Sequence, residues 1–220
     1  IYQVPENLEK QGITELILKR LSLKAKKKND GSWFKFINSS LNCKKEVTIG
    51  IAGKYSELKD AYKSVAESLN LAGMSNKVNV KIKYINTQKD LIPPSLKDLD
   101  AVIVPGGFGQ RGIEGKIQTV QYARENDLPF LGICLGMQCC VIEIARNLAG
   151  LKDADSSEFN QKTPHPVIAM MEEQKKVKNL GGTMRLGNYD AKLLKGSLAH
   201  QLYGKEVITE RHRHRYEFNT

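Results

Sequence analysis

The sequence predicts an α/β fold, in which a central and mostly parallel sheet carries helices on both faces. From Val47 onward, short apolar runs alternate with segments of helical period, and four such runs occur before Gly150. The runs are separated by crossovers long enough to hold a helix, which parallel neighbouring strands require. Beyond Gly150 the apolar runs are weaker, and they predict antiparallel strands added at one edge of the sheet.

Each element follows from its local pattern. Apolar runs bounded by turn residues predict the strands of the alternating region at 47–52, 78–84, 99–104 and 130–133. Helical spacing predicts helices at 57–72, ended by Gly73, at 116–126, and from the turn at Cys134 to Gly150. The later pattern predicts strands at 167–171, 182–186 and 206–216, with a short helix at 198–203.

The first 46 residues do not share this alternation. Residues 1–23 open with an extended Val4-Pro5 and then place apolar side chains near helical spacing, so we expect one amphipathic helix that packs on a neighbouring element. Residues 24–46 combine a lysine-rich run with aromatic residues around Trp33, and they predict a linker or insertion.

Composition argues against several classes of protein. Much of the net charge of +10 lies in local lysine runs typical of solvated loops, and neither an RNA-binding aromatic motif nor zinc-finger spacing accompanies it, so we expect no nucleic-acid partner. Apolar runs fall well short of the roughly 18 residues of a membrane helix, so we expect no membrane association. The four cysteines form no C-x-x-C pair, which argues against a metal site or a disulfide framework and favours a reducing, cytoplasmic location.

The segment Gly50–Tyr55 looks like a phosphate-binding loop but departs from its pattern. A P-loop needs a glycine five residues before its Gly-Lys pair and a Ser or Thr directly after that pair. Thr48 and Tyr55 occupy those two positions. We therefore do not assign nucleotide binding to this segment.

The segment Pro129–Gly150 contains the candidate nucleophile. Its apolar strand ends in Gly132-Ile133-Cys134-Leu135-Gly136, and a helix follows. A nucleophile between two glycines at such a turn is held on a sharp corner at the edge of the sheet. Backbone N–H groups at the start of the helix point to the same place, where they stabilise a thiolate and later an oxyanion. Cys134 is therefore the candidate nucleophile, although the pentapeptide alone also fits a small buried hydrophobic residue.

Five motifs carry a resemblance to a known family. They are VPGGFG at 104–109, LGICLGMQ at 131–138, SSEF at 156–159, LGGTMRLG at 180–187 and ERHRHRYEFN at 210–219. From about Val47 onward, the sequence resembles the glutaminase domains of the CTP synthase family, which are class I glutamine amidotransferases. The Gly-x-Cys-x-Gly turn is shared by that whole class, whereas the last two motifs indicate the CTP synthase branch. The resemblance implies the flavodoxin-like architecture of the class.

The resemblance also implies a role for each candidate site residue. Cys134 attacks the side-chain amide of glutamine and forms a thioester. The N–H groups of Gly107 and Leu135 form the oxyanion hole. Arg215 binds the α-carboxylate of glutamine, and Glu158 binds its α-ammonium group. The remaining substrate-binding residues are Gly136, Met137 and Gln138.

The histidines are not assigned as the catalytic base. The RHRHR motif predicts a strand on which its three arginines share one face, and His212 and His214 belong to that motif. His165 precedes a proline and a valine, so it lacks the carboxylate of the family's His-Pro-Glu segment, and we expect it in a loop.

The same resemblance divides the chain into domains. Residues 1–23 resemble the tail of a synthetase domain, residues 24–46 are the linker or insertion, and residues 47–220 are the amidotransferase domain. We expect this domain to be truncated before the family's catalytic His-x-Glu pair.

The resemblance further implies the reaction and partners of a longer enzyme, a ligase of pyrimidine biosynthesis. Ammonia from L-glutamine passes to the synthetase domain of the same polypeptide, which aminates UTP to CTP with ATP and Mg²⁺. GTP is expected as an allosteric activator and a homotetramer as the oligomeric state. No cofactor and no metal are expected within the present chain.

Two other functions stay open at this point. Another class I amidotransferase subunit, or a γ-glutamyl hydrolase, would share Cys134 and the loop at Gly106-Gly107, although LGGTMRLG and RHRHRYE favour CTP synthase. A catalytically inactive interaction module would retain the Cys134 turn for folding alone.

A polypeptide of these 220 residues alone is expected to hydrolyse glutamine barely or not at all. An unassisted thiol of pKa about 8.5 is only a few per cent thiolate at neutral pH, and loss of an acid–base partner typically costs about 10²- to 10⁴-fold in rate. A coupled assay for released glutamate measures this rate. Robust turnover by the polypeptide would refute the expectation.

Overall fold

A four-stranded parallel sheet forms the centre of the protein. The computed structural model describes residues 1–25, 31–40, 43–90, 92–177 and 182–219. The strands of the central sheet are β1 (Glu46–Gly53), β2 (Asn79–Asn86), β3 (Ala101–Val104) and β4 (Phe130–Gly132). Their spatial order is β2-β1-β3-β4, and every neighbouring pair is parallel, as the sequence predicts.

Helices cover both faces of this sheet. The three helices that follow β1, β3 and β4 are α4 (Lys63–Asn76), α5 (Ile113–Glu125) and α6 (Leu135–Asn147). Side chains alternate across β3, so that Val102 and Val104 pack in the main core with α5 and α6, whereas Ile103 faces a groove beside α4. The predicted two-sided α/β arrangement is therefore confirmed.

The helix α4 begins later and ends later than the sequence predicts. A single 3₁₀ turn at Lys59–Tyr62 precedes it, and Gly73 lies inside the helix instead of ending it. A Cβ at Gly73 would lie 2.6 Å from Val80 Cγ2, so glycine allows α4 to pack closely on β2. The helix ends one turn further on, where Lys77 adopts a left-handed conformation. The predicted stop at Gly73 was therefore wrong, because this glycine has a packing role.

The N-terminal region differs from the prediction of one amphipathic helix followed by a linker. It contains α1 (Val4–Lys10), α2 (Ile13–Arg20) and α3 (Ser32–Ser40). The first two are separated at Gly12, which has a φ of 72°, and Val4-Pro5 begins α1 instead of being extended. The segment predicted as a linker forms α3, which packs on α4 and buries Ile37. Residues 26–28 of the predicted lysine run lie outside the described residues.

The strands beyond Gly150 form two small sheets of their own and are not added to the edge of the central sheet. One sheet contains β5 (Ala154–Ser156), β6 (His165–Met170) and β9 (Tyr216–Phe218), and the other contains β7 (Arg185–Lys192) and β8 (Val207–Arg213). Strand β6 pairs with β5 in parallel and with β9 in antiparallel orientation. Ile168 of β6 belongs to the main core, so this sheet packs against α6 and not beside β4.

The bounds of the C-terminal elements also change. The predicted strand 206–216 is divided into β8 and β9, and the strand predicted at 182–186 begins only at Arg185. Residues 180 and 181 of the LGGTMRLG motif lie outside the described residues. The remaining helices are α7 (Glu172–Lys175) and α8 (Leu198–Tyr203), and α8 matches its predicted bounds. No helix in the described parts of the chain is both long enough and apolar enough to span a bilayer.

Replacement of Gly115 by alanine is expected to destabilise the fold. A Cβ at this position of α5 would lie 2.0 Å from the Thr87 carbonyl oxygen, which is backbone and cannot rotate away. We expect Gly115→Ala to lower the free energy of unfolding by about 2 kcal/mol despite the higher helix propensity of alanine. Gln118→Ala, on the exposed face of the same helix, is the control and should change it by no more than about 0.5 kcal/mol. Denaturant unfolding measures both, and a Gly115→Ala protein as stable as the parent would contradict the packing described.

Candidate active site

Cys134 lies on a sharp turn between β4 and α6. Its backbone has φ 53° and ψ −107°, a conformation that non-glycine residues rarely adopt. A Cβ at Gly132 would lie 2.7 Å from the backbone nitrogen of Met137, and a Cβ at Gly136 would lie 1.9 Å from the Val104 carbonyl oxygen. Both flanking positions therefore require glycine, for the steric reason that the Gly-x-Cys-x-Gly pattern indicates.

Cys134 is an exposed residue at the start of α6. The position of its sulfur is given by one polar neighbour. The sulfur is 4.0 Å from the backbone oxygen of Arg213, at the end of β8. Desolvation by the surrounding wall raises the pKa of the Cys134 thiol, and the negative charge of Glu158 raises it further. The Leu135 N–H and the positive charges of Lys116 and Arg213 act in the opposite direction. The exposed surface keeps the sulfur accessible, although the net effect favours the thiol over the thiolate.

The other cysteines of α6 differ in accessibility. Cys139 is fully buried, and desolvation raises its pKa to about 12. Cys140 is half-buried, and burial raises its pKa as well. Cys134 is therefore the most exposed of the three residues. Among the described residues, no group of three or more His, Cys, Asp or Glu side chains lies close enough together to hold a metal ion.

The glycine loop, defined as Pro105–Gly109, faces Cys134. A Cβ at Gly106 would lie 3.5 Å from Cys134 Cβ, and a Cβ at Gly107 would lie 3.6 Å from Leu135 Cδ2. These are ordinary van der Waals contacts, so the protein itself has room for side chains here. Because both positions are glycine, the space beside Cys134 is open to a ligand.

Polar contacts hold the glycine loop at three points. The ammonium group of Lys54 donates a hydrogen bond to the Phe108 carbonyl oxygen. The ammonium group of Lys116 donates to the Pro105 carbonyl oxygen at 3.3 Å. The N–H of Gly109 donates to Glu158 Oε1 at 3.2 Å. Two lysines and one carboxylate thus fix the loop from three different parts of the chain: the turn after β1, helix α5 and the turn after β5.

The predicted residues at the start of α6 divide into buried and exposed positions. Leu135, Gly136 and Gln138 are buried, whereas Met137 is exposed. Gln138 Nε2 donates to the Tyr216 carbonyl oxygen at 2.8 Å. The amide of Gln138 therefore connects α6 to the start of β9.

The charges of Arg215 and Glu158 both affect the pKa of Tyr216. Burial raises the pKa of the Tyr216 hydroxyl, the negative charge of Glu158 raises it further, and the positive charge of Arg215 lowers it. The opposite charges predicted to bind the two ends of glutamine thus lie near one ring. Glu158 contacts the glycine loop through the Gly109 N–H, and Tyr216 contacts α6 through the side chain of Gln138.

Arg215 does not lie on the same strand face as the other arginines of its motif. The strand β8 ends at Arg213, and Arg215 falls in the connection to β9, so the predicted shared face was wrong. Its guanidinium group donates to Gln174 Oε1 at 2.8 Å and to Thr183 Oγ1 at 3.0 Å. The side chain is thus oriented by two neutral acceptors, and Arg215 is only partly exposed.

The histidines occupy other positions. His165 is the first residue of β6, so its predicted place in a loop was wrong. His214 Nε2 and His212 Nδ1 are 3.2 Å apart, and the His212 ring stacks on Tyr189 with 5.0 Å between centroids. Burial lowers the pKa of His214, and the neighbouring His212 lowers it further. These two imidazoles interact with each other and not with the Cys134 sulfur.

Four residues at the site were missed by the sequence analysis. Lys54 and Lys116 contact the glycine loop, and Gln174 and Thr183 orient Arg215. Thr183 was available in the LGGTMRLG motif, and Lys54 in the segment that looks like a phosphate loop. No local pattern separates Lys116 or Gln174 from ordinary surface residues.

Known proteins resemble this chain at the level of family, sequence and structure. The model of the family "Glutamine amidotransferase class-I" matches residues 57–220. The CTP synthase of Carboxydothermus hydrogenoformans is 53% identical to this chain over 222 residues, and that of Methanocaldococcus jannaschii is 51% identical over 228 residues. Each alignment covers 100% of this chain and 42% of the relative, so the chain spans less than half the length of these relatives. The glutaminase domain of Trypanosoma brucei CTPS, solved with bound acivicin, is 36% identical with a TM-score of 0.70, over 79% of this chain and 68% of that one.

Removal of the Glu158 charge is expected to make the Cys134 thiol more acidic. The carboxylate raises the pKa of this thiol, so Glu158→Gln should move the pH midpoint of Cys134 alkylation by iodoacetamide downward and speed alkylation at pH 7. Peptide mass spectrometry across a pH series measures the midpoint. Glu46→Gln, at the exposed start of β1, is the matched control and should leave it unchanged. A midpoint that stays in place or rises in Glu158→Gln would contradict the electrostatics described.

Proposed function

Because the chain belongs to the class I glutamine amidotransferases and corresponds to the glutaminase domain of CTP synthases, we propose that Cys134 hydrolyses the side-chain amide of L-glutamine. One observation carries the proposal: an exposed thiol on a strained turn faces a glycine loop with open space between them. In this arrangement the thiol can attack the carbonyl carbon from one side, while the backbone of the glycine loop approaches the carbonyl oxygen from the other.

The reaction proceeds in two steps that balance at the sulfur. The Cys134 sulfur bonds to the amide carbon, the C–N bond breaks, and the amide nitrogen leaves as ammonia with the thiol proton. Water then breaks the C–S bond of the thioester, which yields glutamate and restores the thiol. The N–H groups of Gly107 and Leu135 stabilise the oxyanion in both steps. We assign the proton transfers to the His-x-Glu pair that the family resemblance implies, since no described histidine bonds to the sulfur.

Recognition of glutamine uses the two charges near Tyr216. Arg215 donates to the α-carboxylate, and Glu158 accepts from the α-ammonium group. The proposal is supported by the position of Glu158, whose Oε1 contacts the glycine loop, and by the oriented guanidinium group of Arg215. Gln138, Met137 and Gly136 complete the wall of the site along the first turn of α6.

In the full-length protein, the ammonia is transferred to a synthetase domain that aminates UTP to CTP. ATP and Mg²⁺ belong to that domain, GTP is the activator, and the assembly is a homotetramer, with the cytoplasm as its location. The support for this larger proposal is the identity of about half of all aligned residues to CTP synthases. Residues 1–23 are then the end of the synthetase domain, and residues 24–46 connect it to the glutaminase domain.

Full-length protein offers a test that separates the two halves of this proposal. Cys134→Ala is expected to reduce glutamine-dependent CTP formation to background and to leave ammonia-dependent CTP formation intact, because ammonia bypasses the thiol. Cys140→Ala, on the same helix and half-buried, is the control and should retain both activities. A parent protein that makes CTP only from ammonia would identify an inactive module. Loss of both activities in a folded Cys134→Ala protein would contradict the division of labour.

A further inference from the structure

Lys116 is a buried cation beneath the glycine loop. The residue lies on α5 and is only 1% exposed, and its ammonium group donates to the Pro105 carbonyl oxygen. No described carboxylate forms an ion pair with it. Burial of an ammonium group with a single neutral acceptor opposes folding, and a methionine of similar length would fill the same space without that cost. Stability therefore does not explain why a lysine occupies this position.

The surroundings of Lys116 are those of the candidate active site. A Cβ at Gly107 would lie 3.6 Å from its Nζ atom, so the ammonium group lies directly under the predicted oxyanion-hole residue. Desolvation lowers the pKa of Lys116, and the nearby charge of Lys54 also lowers it, whereas Cys139 and Cys134 raise it. The charge of Lys116 in turn favours the Cys134 thiolate.

The hydrogen bond to Pro105 also constrains the direction of the next peptide group. The carbonyl and N–H groups of a trans peptide point in opposite directions, and Ile92-Pro93 is the cis bond among the described residues. With the Pro105 oxygen held by Lys116, the Gly106 N–H must point away from α5. The conformation of the glycine loop opposite Cys134 thus depends on a residue outside the loop.

We propose that Lys116 is a positioning residue of the thiol reaction, which holds the glycine loop through the Pro105 carbonyl and stabilises the Cys134 thiolate by its positive charge. The inference rests on the proposed glutaminase function and deepens it. The hydrogen bond of Lys116 goes to the Pro105 oxygen and not to the Cys134 sulfur, so Lys116 acts through the loop and through its charge. Glu158 opposes that field, and Arg213 adds to it.

Two variants separate the hydrogen bond from the charge. Lys116→Met removes both, whereas Lys116→Gln removes the charge and retains a donor for the Pro105 oxygen. In the full-length protein, both variants should slow alkylation of Cys134 by iodoacetamide at pH 7 by about three- to tenfold and move its pH midpoint upward, because the thiolate fraction falls. Thermal unfolding should show Lys116→Met to be at least as stable as the parent.

Labelling by a diazo-ketone analogue of glutamine measures the position of the loop. The ratio of analogue labelling to iodoacetamide alkylation at Cys134 should fall at least about threefold in Lys116→Met and stay near the parental value in Lys116→Gln, because only the Met variant frees the loop. If the parent is not labelled by the analogue, the glutaminase proposal fails, and the iodoacetamide midpoint still tests Lys116.

Two results would each overturn one part of the inference. An unchanged pH midpoint in both folded variants would remove the role of the charge. An unchanged labelling ratio in Lys116→Met would remove the role of the hydrogen bond. A large loss of stability in Lys116→Met would show a structural role, and the midpoint of Lys116→Gln would then decide whether the charge acts on Cys134.

Discussion

The candidate site depends on the close approach between Gly136 and the end of β3. A Cβ at Gly136 would lie 1.9 Å from the Val104 carbonyl oxygen, so the first turn of α6 starts directly against the sheet. The chain can make this contact only with a sharp turn, which places Cys134 at a φ of 53° and exposes its sulfur at the sheet edge. The glycine loop, Glu158 and the end of β8 are arranged around this fixed corner.

Opposing charges act on the sulfur at this corner. Desolvation and Glu158 raise the pKa of the Cys134 thiol, and the Leu135 N–H, Lys116 and Arg213 lower it. Glu158 also holds the Gly109 N–H, so the carboxylate that disfavours the thiolate is part of the structure that orders the loop. An incoming ammonium group bound to Glu158 would neutralise that carboxylate. Under the proposed recognition of glutamine, substrate binding at Glu158 would therefore favour the Cys134 thiolate.

The sequence was sufficient for the parts of the fold that local pattern determines, and insufficient where tertiary contacts decide. The strands β1 to β4 and the turn at Cys134 follow from apolar runs and paired glycines, which act over a few residues. Gly73 was misread because a glycine that permits packing on β2 looks the same as one that ends a helix. The small sheets beyond Gly150 were misplaced because packing on α6, and not strand propensity, positions β6. Lys116 was missed because burial of a lysine has no signature in its neighbours.

The most direct test of the central claim is a crystal structure of the full-length protein after reaction with a diazo-ketone analogue of glutamine. We expect a covalent bond to Cys134 Sγ, with the carbonyl oxygen of the adduct about 3 Å from the N–H groups of Gly107 and Leu135. We also expect the α-carboxylate of the adduct at Arg215. An adduct on another cysteine, or a carbonyl oxygen directed away from the glycine loop, would contradict the proposed role of Cys134.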